Sequence, residues 1–209
     1  MNLPSGCHVV DLYFHLQGKQ IDADHGYALY GAISRVLESP DNKWLHAAED
    51  VGLLTVRGRY VGQGKLALGR NARFGLRLPT ERIPKVLPLA GKGIEINGDK
   101  LLVGTTTTSA LIPAPVLYAH VVTTKNGKDE ARFDEEIQRQ LQALDIEAAP
   151  QRGPRRIISI KDKKVVGYSL LVTGLTADES IRLQERGLGG RRKMGCGIFL
   201  PMKGSSDAI

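Results

Sequence analysis

The chain has 209 residues, 42% of them hydrophobic and 24% charged, which is enough apolar material for a core and excludes wholesale disorder. No run approaches the ~18 apolar residues of a membrane span, and residues 1–10 lack a basic flank, an apolar stretch and a cleavage site, so a cytoplasmic protein without a membrane partner is expected. Lys and Arg number 29 against 22 Asp and Glu, a net charge of +7 that favours a polyanionic partner, while Cys7 and Cys196 form no C-x-x-C pair and argue against zinc or redox chemistry.

Residues 7–14 (CHVVDLYF) are β-branched and aromatic and read as a strand. Asp22 and Asp24 then supply an acidic N-cap for a helix over 25–39, where Tyr27, Tyr30, Ile33 and Leu37 recur at helical spacing. After a polar bridge with Trp44 and His46, LLTVRGRYV, KLALG and ARFGLRL give short strands, and TERIPKVLPL a brief helix. GIEI and KLLVG flank Asn97-Gly98-Asp99, a tight-turn signal. The Thr-rich, Pro-marked passage 105–115 has no amphipathic period and reads as a linker or an edge crossing between units.

Beyond it the order repeats. VLYAHVVTT is a strand, and residues 129–144 a helix with Phe133, Ile137, Leu141 and Leu144 on one stripe. RRIISI and KVVGYSLLVT are strands around a charged turn, Thr176 and Glu179 open a second helix with a capping box, and CGIFLPM is a last strand. The fold class expected is α+β, with a βαββαβ ferredoxin-like unit over 109–209, a looser copy over 1–108, and a C-terminal glycine-rich loop.

That loop, residues 187–199 (GLGGRRKMGCGIF), holds five glycines and the cations Arg191, Arg192 and Lys193. Glycine lets backbone N–H groups approach phosphates and also serves any tight connection. The pattern is neither a P-loop nor a dinucleotide fingerprint, because it runs from helix to loop to strand. Between residues 152 and 164, Arg152, Arg155, Arg156, Lys161, Lys163 and Lys164 face one acid, Asp162, so the hairpin carries a local excess of positive charge suited to a phosphate backbone. His25, at the start of the first helix, either caps that helix or exchanges protons near neutral pH; a helix N-terminus would favour its neutral form. Tyr27 and Tyr30 share the helix, and His46 is a second candidate. His8, His15 and His120 fall on strands and read as structural. No metal-ligand spacing and no G-x-S-x-G elbow is present, leaving metal-free acid–base chemistry with no cofactor.

These stretches resemble the CRISPR-associated Cas6 endoribonucleases of the RAMP superfamily, with most similarity to the Myxan-subtype branch. The resemblance runs from VDLYFHLQG and ADHGYALYGAISR through RFGLRLP and PLAGKGIEI to RRIISIKDKKVVGYSLLVTGL and ESIRLQERGLGGRRKMGCGIFLP. Its specific part is the loop G-x-G-G-R-R-x-M-G-x-G, matched at Gly187, Gly189, Gly190, Arg191, Arg192, Met194, Gly195 and Gly197. The resemblance implies tandem ferredoxin-like units and metal-independent cleavage of precursor CRISPR RNA within each repeat, leaving a 2′,3′-cyclic phosphate and a 5′-OH. It implies a catalytic histidine on or near the first helix, carried by His25 with Tyr30 or Tyr27 as partner and His46 in reserve. It also implies an RNA surface at Arg155, Arg156, Lys161, Lys163 and Lys164, with Gly189, Gly190, Arg191, Arg192 and Lys193 beside the RNA. Partners would be the precursor and mature CRISPR RNA and other effector-complex subunits; the alternative is a non-catalytic RNA-binding subunit that scaffolds such a complex.

Overall fold

A computed structural model describes residues 9–39 and 43–202; Cys7 and His8 lie outside them. The chain divides into two compact units, Met1–Ala110 and Leu111–Ile209.

The first unit contains β1 (Val9–Gln17), β2 (Gln20–Asp22), α1 (Gly26–Leu37), α2 (Trp44–Ala47), β3 (Gly52–Leu54), β4 (Arg59–Tyr60), β5 (Lys65–Ala67), β6 (Arg73–Pro79), α3 (Ile83–Val86), β7 (Gly93–Ile96) and β8 (Asp99–Ala110). Its main sheet has the order β3-β6-β1-β8-β7, antiparallel throughout. With β7 set aside, β8-β1-β6-β3 is the fourth, first, third and second strand of a βαββαβ unit, the ferredoxin-like order. Strand alternation turns Leu12, Phe14 and Leu16 of β1 and Phe74, Leu76 and Leu78 of β6 toward the helices. The Phe14 and Phe74 rings stack there at 5.1 Å, and α1 adds Leu29, Tyr30 and Ile33 to the same core. A separate small sheet, β2-β5-β4, flanks this unit's main sheet in sequence.

Three local expectations change. The Thr-rich run through Ala110 is not linker but the second half of β8, paired with β1 from Phe14↔Thr106 to Val10↔Ala110. Threonine is a β-branched strand former, and only 111–115 cross between units, so a boundary after residue 108 falls inside a strand. The N-cap of α1 is His25, without a side-chain cap bond; Asp22 instead pairs with Lys65 at 2.6 Å. The last strand shrinks to two residues, because Gly195 (φ 85°) and Gly197 (φ 65°) take the chain out of extended geometry.

The second unit contains β9 (Val116–Val122), α4 (Glu130–Gln142), β10 (Ala149–Ile160), β11 (Lys163–Thr173), α5 (Ala177–Arg186) and β12 (Leu200–Pro201), in the sheet order β10-β11-β9-β12. This is the same fourth-first-third-second arrangement, antiparallel throughout. Asp129 caps α4 by accepting the Arg132 N–H, and Phe133, Ile137 and Leu141 bury its inner stripe. Among the described residues no helix is long and apolar enough to cross a membrane.

Helix α5 begins with the capping box read from sequence: Thr176 accepts the Glu179 N–H, and the Glu179 carboxylate accepts the Thr176 N–H at 2.8 Å. The same carboxylate accepts the Glu147 N–H at 2.9 Å, tying the helix to the approach to β10. These backbone donors, together with the Thr176 hydroxyl, hold the Glu179 carboxyl at about 2. A depressed carboxyl contributes its stability above the unfolded value near 4.5 and loses it as pH falls toward 2. Glu179→Gln should therefore cost about 2 kcal/mol at pH 7, the scale of hydrogen bonds to a charged group. In thermal melts the gap to wild type should close between about pH 4.5 and pH 2; a gap constant with pH would contradict this.

Candidate active site and basic surface

The first unit separates the two candidate histidines into different environments. His25 is 3% exposed. Its Nδ1 donates to the Asp22 carbonyl at 2.7 Å, and its Nε2 accepts the Val56 N–H at 2.9 Å. Burial holds its pKa below the ordinary value, although bonds to the backbone at Asp22 and Ala23 oppose this. The neutral ring thus has both nitrogens engaged with backbone, joining the turn after β2 to the segment after β3. That arrangement fixes structure and offers no nitrogen to a substrate.

His46 presents the opposite case. It stands on α2, anchored by Leu45 at 1% exposure, and its own side chain is 68% exposed. Nδ1 lies 3.0 Å from the Tyr30 hydroxyl, and the two rings are 5.8 Å apart. The Glu38 carboxylate, at the C-cap of α1, accepts the His46 backbone N–H at 2.8 Å and stands 4.0 Å from Nδ1. Burial, with the Glu38 charge adding to it, raises the Tyr30 phenol above its usual value, so Tyr30 keeps its proton. The Tyr30 hydroxyl therefore orients an imidazole that reaches solvent, and Glu38 at the end of α1 holds the backbone that carries it. Tyr27, one turn earlier on α1, is half-buried and makes no hydrogen bond to either histidine. Glu38 was not legible as a partner, since nothing in its spacing announces that α2 folds back on the end of α1.

In the second unit the cations distribute by strand alternation. Arg155 opposes Tyr168 and Lys164 opposes Ser159 on one face of the β10–β11 hairpin, whereas Arg156 opposes Gly167 and Lys163 opposes Ile160 on the other. Lys161 sits at the turn with φ 52°. Arg155, Lys161, Lys163 and Lys164 are exposed, and the Lys164 amine donates to the Ser159 hydroxyl at 2.6 Å. Arg152 stands apart from this set: it pairs with Glu130 and Asp134 of α4 at 2.9 Å each and lies over the Tyr168 ring.

The glycine-rich loop meets this hairpin through Thr123, a fully buried residue that the sequence did not single out. On one side, a Cβ at Gly167 would come within 2.9 Å of the Thr123 methyl. On the other, Gly190 N–H donates to the Thr123 carbonyl at 2.9 Å, and the Thr123 hydroxyl donates to the Gly190 carbonyl at 3.2 Å. Gly189, at φ 73°, fits only as glycine, because a Cβ would meet the Thr123 carbonyl at 2.4 Å. Arg191 is exposed with its guanidinium 3.4 Å from the Thr123 hydroxyl. Arg192 donates to the Glu185 carbonyl at 2.6 Å, and Lys193 is half-buried. Gly190 and Arg191 thus meet Thr123 on one side, and Gly167, the partner of Arg156 in the β10–β11 ladder, meets it on the other. Among the described residues no three His, Cys, Asp or Glu side chains form a metal-binding group.

The two tandem units share one ferredoxin-like strand order, so the chain is a tandem ferredoxin-like α+β protein. The model of the Cas6 CRISPR family matches residues 10–204; the chain belongs to that family and is a CRISPR-associated endoribonuclease. It is 44% identical over 192 residues to the CRISPR-associated endonuclease Cas6 of Myxococcus xanthus (strain DK1622), spanning 92% of this chain and 81% of that protein. A solved CRISPR-associated Cas6 protein superposes with a TM-score of 0.66 at 14% identity, over 93% of this chain and 100% of the other. A RAMP protein described as binding different RNA substrates gives 0.65 at 12% identity, over 93% and 100%. At such identities these structures speak for the fold.

Proposed function

We propose that the chain cleaves precursor CRISPR RNA within its repeats by attack of a ribose 2′-OH on the adjacent phosphate, with His46 and Tyr30 at the reacting centre. The observation that carries this reading is the 3.0 Å contact between the buried Tyr30 hydroxyl and the exposed His46 ring. In the reaction the 2′ oxygen gives up its proton and forms a bond to phosphorus, the bond from phosphorus to the 5′ oxygen breaks, and that oxygen takes a proton. The products are a 2′,3′-cyclic phosphate and a 5′-OH, and no oxidant, reductant or water is consumed. An imidazole is the side chain suited to both proton movements near neutrality. Tyr30 and Glu38 restrict its orientation, which lowers the entropic cost of reaching an in-line geometry.

The cations of the second unit serve a different step. Arg155, Arg156, Lys161, Lys163 and Lys164 on the hairpin, with Gly190 and Arg191 beside Thr123, suit the phosphates of a folded repeat, since A-form RNA is read largely through shape and backbone. Gly189 supports this surface by permitting the tight approach to Thr123.

The test is cleavage of the cognate repeat RNA in EDTA, followed by end-group analysis. Cleavage should persist in EDTA, leave a 2′,3′-cyclic phosphate and a 5′-OH, and stop when the nucleotide 5′ of the scissile bond is 2′-deoxy. Strict dependence on added magnesium, or cleavage of the deoxy-substituted RNA, would remove 2′-OH attack without metal as the mechanism.

A further inference from the structure

The first unit carries a second cluster of cations and aromatics, away in sequence from His46. Arg57 and Arg59 precede the tip of the β4–β5 hairpin, and both are exposed. Tyr60 is 62% exposed, yet it is not loose: its hydroxyl accepts the Gly64 N–H at 3.3 Å, across a turn in which Gly62, Gln63 and Gly64 have φ of 92°, 48° and 71°. The turn thus holds an aromatic ring in solvent, where burial of its apolar face brings no stability to the free protein.

On the face of the main sheet turned away from the helices, Tyr13 of β1 lies across Gly75 of β6, where any side chain would press on its ring: a Cβ there would stand 3.0 Å from it. The Arg73 guanidinium covers the ring at 4.1 Å from its centroid. Arg73 is exposed, so a planar cation is presented outward on an aromatic support. Arg57 follows β3 by three residues, and β3 ends paired with β6 at Leu54↔Gly75, where Leu54 and the Tyr13 ring meet at the same glycine.

Part of the chain's arginine charge is neutralised within the fold. Arg77, Arg82, Arg132, Arg139 and Arg152 each meet a carboxylate within 4.0 Å. Among the described residues, Arg57, Arg59 and Arg73 make no ion pair. Unpaired guanidinium groups beside exposed or supported aromatic rings match the two needs of an unpaired nucleic acid strand, whose phosphates seek cations and whose bare bases seek planar partners. A double-stranded stem has no bare base faces to offer along its length.

We infer that Arg57, Arg59, Tyr60 and the Tyr13–Arg73 stack form a contact surface for a single-stranded RNA segment, distinct from the basic hairpin of the second unit. The inference rests on the reading of the chain as a binder of repeat RNA. Tyr60 stacks a base, Arg57 and Arg59 neutralise phosphates, and Arg73 offers a second stacking plane.

Binding of the full chain is compared for two RNAs, the repeat with its single-stranded flanks and the stem alone. Arg57→Ala/Arg59→Ala/Tyr60→Ala should bind the flanked RNA about tenfold or more weakly, with a shallower salt dependence, and bind the stem as wild type does. Tyr60→Phe keeps the ring and should retain the affinity that Tyr60→Ala loses. All replaced side chains are exposed, and thermal melts confirm folding. Unchanged affinity of the triple variant for flanked RNA overturns the inference. Equal weakening toward both RNAs also overturns it, because the surface would then hold the stem. Failure of the wild-type chain to bind either RNA refutes instead the reading beneath it.

Discussion

His46→Ala is expected to slow single-turnover cleavage of repeat RNA by about 10²- to 10⁴-fold, the range for loss of a general acid or base, while leaving RNA affinity near wild type. Tyr30→Phe, which keeps the buried ring and removes the hydroxyl 3.0 Å from Nδ1, should slow it by about tenfold, within what one orienting hydrogen bond supplies. His25→Ala should behave differently. It leaves the Val56 N–H and the Asp22 carbonyl without their partner, at a cost of about 1–3 kcal/mol, and activity per folded molecule should be retained. Because burial depresses the His25 pKa, its contribution to stability is present above about pH 6.5 and is lost as pH falls through the lower folded value. A full rate for folded His46→Ala, or a large rate loss in folded His25→Ala at unchanged affinity, would exchange the two assignments.

The largest stability effect is expected in the sheet of the first unit. Arg77 is fully buried and grips Asp11, itself 5% exposed, through two bonds of 2.7 and 2.9 Å between adjacent strands. Removing one partner strands a charge in a low-dielectric site, so Arg77→Ala should cost about 3–5 kcal/mol and lower Tm by more than about 10 °C. Replacing both, as Arg77→Met with Asp11→Leu, should recover most of that loss, because two apolar side chains need no solvation. If the double variant melts no higher than the single one, the cost comes from packing and not from the isolated carboxylate.

The fold was legible wherever one residue pattern had one structural meaning. The capping box at Thr176, the apolar stripe of α4 and the Asn97-Gly98 turn each appear where the periodicity places them. The Thr-rich run misled because four threonines lack alternation; β-propensity and pairing with β1 decide its state, and the partner strand is about 95 residues away in sequence. The candidate site was legible in residue type, whereas the surroundings of each residue were not. Both histidines and Tyr30 stood out as titratable groups near the first helix, but burial separates them: the hydrogen bond from Val56 to His25 depends on a chain segment 31 residues away. Thr123 carried no signal at all, since its importance lies in a carbonyl and a hydroxyl that two glycine segments approach.

The central position of β1 has a kinetic meaning. Its ladder with β8 joins Val10 to Ala110, so the first unit closes its sheet only after a loop of about a hundred residues has been brought together. In the second unit, Ile160 meets Lys163 across a two-residue turn, and the ladder continues from there by local zipping. Hairpins of that kind form in about 1–10 μs, whereas sheets built on distant partners take far longer. During refolding the basic hairpin is therefore assembled well before the sheet that supports α1 is complete.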